Sequence, residues 1–165
     1  MKNLFQILTV ICFSLVLVNC SSDDSSNPPS TQEQLTINVN GTQYTASAIM
    51  AAMGNDNKYF ELDSANSDGT EGLQLRIGDF NESLSPVLEA GMTYNWNGTD
   101  DTTIFYQNTQ SVYGGTNGCQ ITITSINFED NTISGTFSGV VSDGNTVDDQ
   151  TLTNGVFNNI PFSIN

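Results

Sequence analysis

The sequence predicts an all-β fold: a single antiparallel β-sandwich or flattened β-barrel of about eight to ten short strands, with a lipocalin-like closed barrel as the alternative. Three observations lead there. Asn-Gly pairs stand at 40–41, 97–98, 117–118 and 154–155, and Asp-Gly pairs at 68–69 and 143–144. A type I′ turn needs positive φ at both central residues, so these pairs, flanked by apolar alternation, are strong hairpin signals. Between them, apolar residues recur at every second position, which gives a strand one buried and one wet face. No long stretch carries a convincing helical period; the best, Ala46 to Met53, is short and ends at Gly54-Asn55.

Taken in order, Leu35, Ile37 and Val39 alternate with Thr36 and Asn38, then Asn40-Gly41 turns the chain into Tyr44, Ala46 and Ala48. Phe60/Leu62, Leu73/Leu75/Ile77, Met92/Tyr94/Trp96, Ile104/Tyr106, Ile121/Ile123, Ile133/Phe137 and Phe162/Ile164 repeat the pattern. Between Ile123 and Ile126 the apolar phase slips from odd to even positions and continues at Phe128. A slip would turn every later side chain over unless one residue is absorbed, so a β-bulge is expected near Ser125. A sandwich core would be filled by Phe60, Leu75, Ile121 and Phe137, whereas a carrier barrel would leave its interior open.

The chain begins differently. Lys2 precedes an apolar run from Leu4 to Val18, followed by the polar tract Ser21-Ser22-Asp23-Asp24-Ser25-Ser26. The run is shorter than the roughly 20 residues of a membrane span and reads as an export signal. Leu17-Val18-Asn19-Cys20 resembles a bacterial lipoprotein box, with Asn19 where Gly, Ala or Ser is usual. That resemblance implies that Cys20 carries a diacylglyceryl thioether and an N-acyl chain, and two or more chains hold stably to a bilayer. Ser21-Ser22-Asp23-Asp24 resembles the acidic export signal of Bacteroidota surface lipoproteins; the plain alternatives are an ordinary secretory peptide and a solvated spacer. The expected organisation is a signal peptide over 1–19, a lipidated flexible tether over 20–34 and an all-β domain over 35–165. Ser, Asp, Asn and Pro28-Pro29 dominate the tether. The domain's length, about 130 residues, suffices for one core.

The full chain has 165 residues, 18 acidic against 3 basic, and a net charge of −15. Without Lys2, two basic residues, Lys58 and Arg76, face 18 acidic ones, a charge of −16. Such a charge repels phosphate backbones and anionic headgroups, so nucleic acid is excluded as a partner and the lipid alone is expected to hold the membrane. Of the three cysteines, Cys12 leaves with the signal, Cys20 is the lipid site, and Cys119 is left unpaired. It reads as a half-buried strand residue, because no histidine exists to activate it.

The absence of histidine also rules out Ser-His-Asp and Cys-His catalysis and imidazole zinc sites, so no enzyme activity is expected. Two chemistries remain. Carboxylate pairs drawn from Glu61, Asp63, Glu71 and Asp79 are the material of a glycoside hydrolase, but no apolar context surrounds them to raise a pKa. Calcium is the one cofactor in view: Asp100, Asp101, Asp148 and Asp149 are candidate loop ligands, and Ser64-Ala65-Asn66-Ser67-Asp68-Gly69 approaches an EF-hand loop. It fails at Ser64 and at Leu75, where that loop needs Asp and Glu.

Sugars stack on aromatic faces, which makes Tyr94, Trp96, Tyr106 and Tyr113 candidate platforms, with core packing as the alternative. Asp63-Ser64-Ala65 and Asp101-Thr102-Thr103 resemble a short O-glycosylation motif of exported Bacteroidota proteins, marking Ser64 and Thr102. Finally, Ile133-Ser134-Gly135-Thr136-Phe137-Ser138-Gly139 and Leu152-Thr153-Asn154-Gly155-Val156-Phe157 resemble the C-terminal half of an uncharacterised, all-β group of Bacteroidota lipoproteins. The resemblance brings no assigned activity. The expectation is therefore a lipid-anchored outer-membrane protein, displayed on the cell surface or facing the periplasm. Its β-domain would be a non-catalytic binding module for a glycan or a protein. A lipocalin-like carrier of a small apolar ligand is the alternative, and a glycoside hydrolase the third.

Overall fold

Asn40 and Gly41, with φ of 49° and 84°, close the first hairpin as a two-residue turn in which Val39 faces Thr42. The computed structural model describes residues 34–54, 56–78, 87–96, 102–116, 118–144 and 149–165. These residues form strands and no helix. The strands are β1 (Gln34–Val39), β2 (Thr42–Thr45), β3 (Ala48–Gly54), β4 (Tyr59–Ala65), β5 (Gly72–Ile77) and β6 (Thr93–Asn95). They continue as β7 (Thr102–Gln107), β8 (Val112–Gly115), β9 (Gln120–Asn127), β10 (Thr132–Ser142), β11 (Gln150–Pro161) and β12 (Ser163–Ile164). Thr31–Asn165 makes one unit.

The ladder runs β12-β3-β4-β5-β7-β8-β10-β11-β1-β2, and β9 and β6 branch from β10. It folds over on itself, bringing β4 against β11: Phe60 stacks on Phe157 at 6.0 Å, and Phe137 also packs on Phe157, tilted, at 6.3 Å. The four residues expected to fill a sandwich core, Phe60, Leu75, Ile121 and Phe137, are all buried. The ladder is open, unlike the closed barrel held as the alternative. Its β2 edge is joined along the chain to β3, the strand next to the opposite edge. At Ala46-Ser47 the backbone leaves one layer, where Ala46 N–H donates to Leu35 O, and joins the other, where Ser47 N–H donates to Ala65 O. Small side chains at both positions let the strand turn this corner.

Several expectations are corrected. The described residues form twelve strands rather than eight to ten: β8 and β11 carry glycines and polar residues that mask their period, and the run Tyr44, Ala46 and Ala48 spans both β2 and β3. One pair, β12 with β3, is parallel. Ala46 to Met53, the best helical stretch, mostly forms β3, with Met53 inside and Met50 outside. Asn154-Gly155 is no hairpin turn. It lies within β11, where Asn154 at φ 56° forms a bulge and Gly155 presses on β10; a Cβ there would sit 2.5 Å from Phe137 O. Ile164 is exposed despite its alternation with buried Phe162, and half-exposed Phe128 lies edge-on to Phe162.

The predicted bulge in β9 is present. Ser125 faces Ser134 while Ile123 faces Gly135, so Thr124 is the absorbed residue and Ile126 returns to the core side. Cys119 is more deeply buried than expected, 1% exposed, one residue before β9. Its thiol donates to Val140 O at 3.2 Å, and burial pushes its pKa up.

The signal peptide, Cys20 and the tether residues up to Glu33 lie outside the described residues, as do Asp79, Asp100, Asp101, Asp148 and the Asn97-Gly98 turn. β1 begins at Gln34, one residue before the expected domain start.

Candidate functional site

Among the described strands only three residues carry charge, Glu61, Asp63 and Arg76, and all three meet on one surface. Alternation in β4 turns Phe60 and Leu62 inward and Glu61 and Asp63 outward; in β5 it turns Leu73, Leu75 and Ile77 inward and Gln74 and Arg76 outward. Antiparallel register then sets Glu61 beside Arg76 and Asp63 beside Gln74. The Gln74 amide nitrogen donates to both carboxylates, 2.9 Å to Glu61 Oε1 and 2.8 Å to Asp63 Oδ1. Arg76 Nη2 lies 3.9 Å from Glu61 Oε1, an ion pair too long for a hydrogen bond. Its Nε is buried with no hydrogen-bond partner.

Beside these groups the surface sinks into a groove of about 520 Å³ lined by Asp63, Gln74, Arg76, Phe105, Gln107 and Val112. Glycines shape it. A Cβ at Gly114 would stand 3.3 Å from the Phe105 ring, and one at Gly72 would stand 3.0 Å from Gln107 Nε2. Phe105 is half-buried, and Val112 is 60% exposed at the rim. The groove thus offers an aromatic ring, two amides, a carboxylate and a guanidinium with unused donors. Polar side chains of both hydrogen-bonding senses around a ring suit a ligand with hydroxyls along its edges and a C–H face.

Of the sequence candidates, Asp63 lines this groove, and Glu61 stands beside it, bonded to Gln74. Glu71 does not: it sits at the β4–β5 turn, where Asn66 Nδ2 donates to its Oε2 at 3.1 Å and the Tyr106 hydroxyl donates to Oε1. Tyr106 and Tyr113 are core residues, 3% and 1% exposed, stacked on each other at 5.9 Å, and neither offers a ring face to solvent. Burial, followed by the bond to Glu71, raises the Tyr106 pKa. Tyr44 is raised by burial too, against the lowering effect of its 3.0 Å bond to Ser64. Tyr94 and Trp96 are half-buried against the core: Tyr94 Oη accepts from Glu89 N–H at 3.1 Å, and Trp96 N–H donates to Cys119 O at 2.9 Å.

Ser64 Oγ is held between Tyr44 and Leu73 O at the edge of the groove, and Thr102 is 5% exposed. In the EF-hand-like segment Asp68 caps its own turn. It accepts from Thr70 N–H at 3.1 Å and from the Thr70 hydroxyl at 2.6 Å, which lowers its pKa. Asp149 is exposed, and no group of three metal-ligating side chains gathers among the described residues.

Sequence reasoning missed Gln74, Arg76, Phe105 and Gln107. The available signal was phase: Gln74, Arg76 and Phe105 stand at outward positions between core residues, Gln107 continues the phase of Phe105, and Arg76 is one of only two basic residues after the signal.

The fold and this surface define a class: an all-β domain whose single folded-over sheet carries a mixed polar and aromatic groove on an outer face. The chain belongs to the DUF6252 family, described as a domain of unknown function, and the match covers residues 31–161. No curated protein and no solved structure matches it.

Proposed function

We propose that this protein is an outer-membrane lipoprotein of Bacteroidota type, anchored through Cys20, whose domain binds carbohydrate non-catalytically in the groove of β4, β5, β7 and β8. One observation carries the binding reading: the only charged residues in the described strands converge beside a half-buried phenylalanine. Scattered solubility charges would spread over the sheet. Here Gln74 bridges two carboxylates, which leaves the other Asp63 oxygen, Gln107 and the Arg76 guanidinium to meet a ligand over Phe105. Cell-surface display suits such a module, because the acidic tract behind Cys20 resembles a surface-export signal. The open ladder and the contacts of Phe60, Phe157 and Phe137 inside it support this reading over that of an apolar-ligand carrier.

Titration of the protein against a glycan array checks the groove. Binding is expected to fall at least about tenfold in Phe105→Ala and in Gln74→Ala, the loss of about 1.4 kcal/mol. Equal binding by wild type and both variants, or none by any, rejects the groove. Palmitate labelling checks the anchor: label on wild type and none on Cys20→Ser is expected, and equal labelling rejects it. Proteolysis of intact cells then distinguishes outward from periplasmic display.

A further inference from the structure

We propose that the outer face formed by β2, β1, β11, β10, β9 and β6 is a second ligand surface, and that its ligand is a neutral polysaccharide chain. The proposal extends the carbohydrate reading of the groove to a separate face. In a chain of net charge −15, none of these six strands contains an Asp, Glu, Lys or Arg. Most of their outward positions carry hydroxyls and amides instead, and the register aligns them. Thr45 faces Thr36, Thr36 faces Val156, Val156 faces Thr136, Thr136 faces Thr122, and Thr122 faces Thr93. This row of β-branched residues crosses all six strands, about 24 Å at ~4.8 Å per strand. Asn95, Gln120 and Ser138 form a parallel polar row beside it.

The face offers hydrogen bonds of both senses. Thr93 Oγ1 and Thr122 Oγ1 are 2.8 Å apart, and Gln120 Nε2 donates to Ser138 Oγ at 3.2 Å, which leaves each hydroxyl further capacity. A depression of about 360 Å³ lies along the row at Thr122, Thr136 and Val156. Phe137 contributes to its floor where Gly155 has no side chain.

Charge and shape select the occupant. An ionic partner would bury its charge against groups that cannot neutralise it, and an anionic polymer would also meet the field of the whole chain. Sugar hydroxyls, donors and acceptors at once, match threonine hydroxyls and amides without that cost. A sheet twist of ~20–25° per strand turns the row through roughly 100°, which suits one flexible chain and not a flat crystalline surface. A second copy fits less well: homodimer interfaces have apolar centres, and Val156, 41% exposed, is the row's single purely apolar residue.

Affinity electrophoresis of the full-length protein in neutral detergent, through gels containing glucan, xylan, mannan or alginate, tests the proposal. Wild type is expected to be retarded by at least one neutral polymer and not by alginate. Retardation should weaken about tenfold or more when Thr122→Glu/Thr136→Glu is introduced, whether into wild type or into Phe105→Ala. Thr122→Val/Thr136→Val keeps the side-chain shape and removes both hydroxyls, so it gives the same reading with the fold undisturbed; weakening is expected there too. Retardation unchanged in both double variants, or absent with every neutral polymer, overturns the proposal. Retardation lost only in Phe105→Ala also overturns it, while leaving the groove reading intact. A sedimentation shift from dimer to monomer in the Glu variant, with retardation unchanged, assigns the face to a second copy and overturns it as well.

Discussion

Phe60 of β4 and Phe157 of β11 lie with ring centroids 6.0 Å apart and planes 24° from parallel, and this contact holds one layer of the folded sheet against the other. Both are fully buried. Phe60→Ala or Phe157→Ala is expected to destabilise the domain by about 3–5 kcal/mol, read as a lower urea midpoint with unchanged slope. A loss under 1 kcal/mol would show that the layers are held elsewhere.

Gly155 and Gly135 let β10 and β11 approach closely. A Cβ at Gly135 would lie 2.3 Å from the Phe157 ring and equally near the Thr122 carbonyl oxygen. Gly135→Ala is therefore expected to cost roughly 1–3 kcal/mol or more, since backbone cannot yield as a side-chain tip does. Gly144→Ala, at φ 72° with open space around it, should cost about 1 kcal/mol from backbone strain alone. Thermal melts of the two variants compare these mechanisms directly.

Alkali should unfold this protein through its buried tyrosines. Tyr44 and Tyr106 both titrate above their ordinary value of 10.0 in the fold, chiefly because burial penalises the phenolate. The unfolded chain therefore gives up these protons first. Their contribution is complete below about pH 10 and declines as pH rises past it. Tyr106→Phe should flatten that decline in denaturation curves taken between pH 8 and pH 12; an unaltered slope would exclude Tyr106.

Thr124 is the residue that β9 absorbs, so its deletion leaves Ser125 opposite Ser134 and Ile123 opposite Gly135 in an unbroken ladder. Deleting Thr124 is expected to yield a folded protein, less stable by no more than about 2 kcal/mol. Deleting Thr122 instead moves Ile121 out of phase and should abolish cooperative unfolding. Circular dichroism melts of the two single-residue deletions discriminate them.

Cys119, enclosed by Gly139 and bonded to Val140 O, is expected to resist thiol reagents in native protein and to react only as fast as the domain opens. Rapid labelling without denaturant would contradict its burial.

The local chemistry of this chain was written in its own order. Period-two apolar residues fixed the strands, Asn40-Gly41 fixed a turn, and the slip between Ile123 and Ile126 located a bulge, because each depends on neighbours along the backbone. Asn154-Gly155 shows the limit of such signals. The same dipeptide that turns a hairpin serves inside β11 as a bulge, and only the proximity of Phe137 decides which. Tyr106 likewise has the alternation of any strand aromatic, and its pairing with Glu71, 35 positions earlier, sets its environment.

The sequence by itself determined the all-β class, the core identities and the charge, since these follow from composition and spacing. Only tertiary structure decided that the sheet stays open and folds over at Ala46-Ser47, and that Asp63, Gln74, Arg76 and Phe105 share one groove. The physical reason is register: which outward residues become neighbours depends on how separate strands align, and that alignment is set by packing across the whole core.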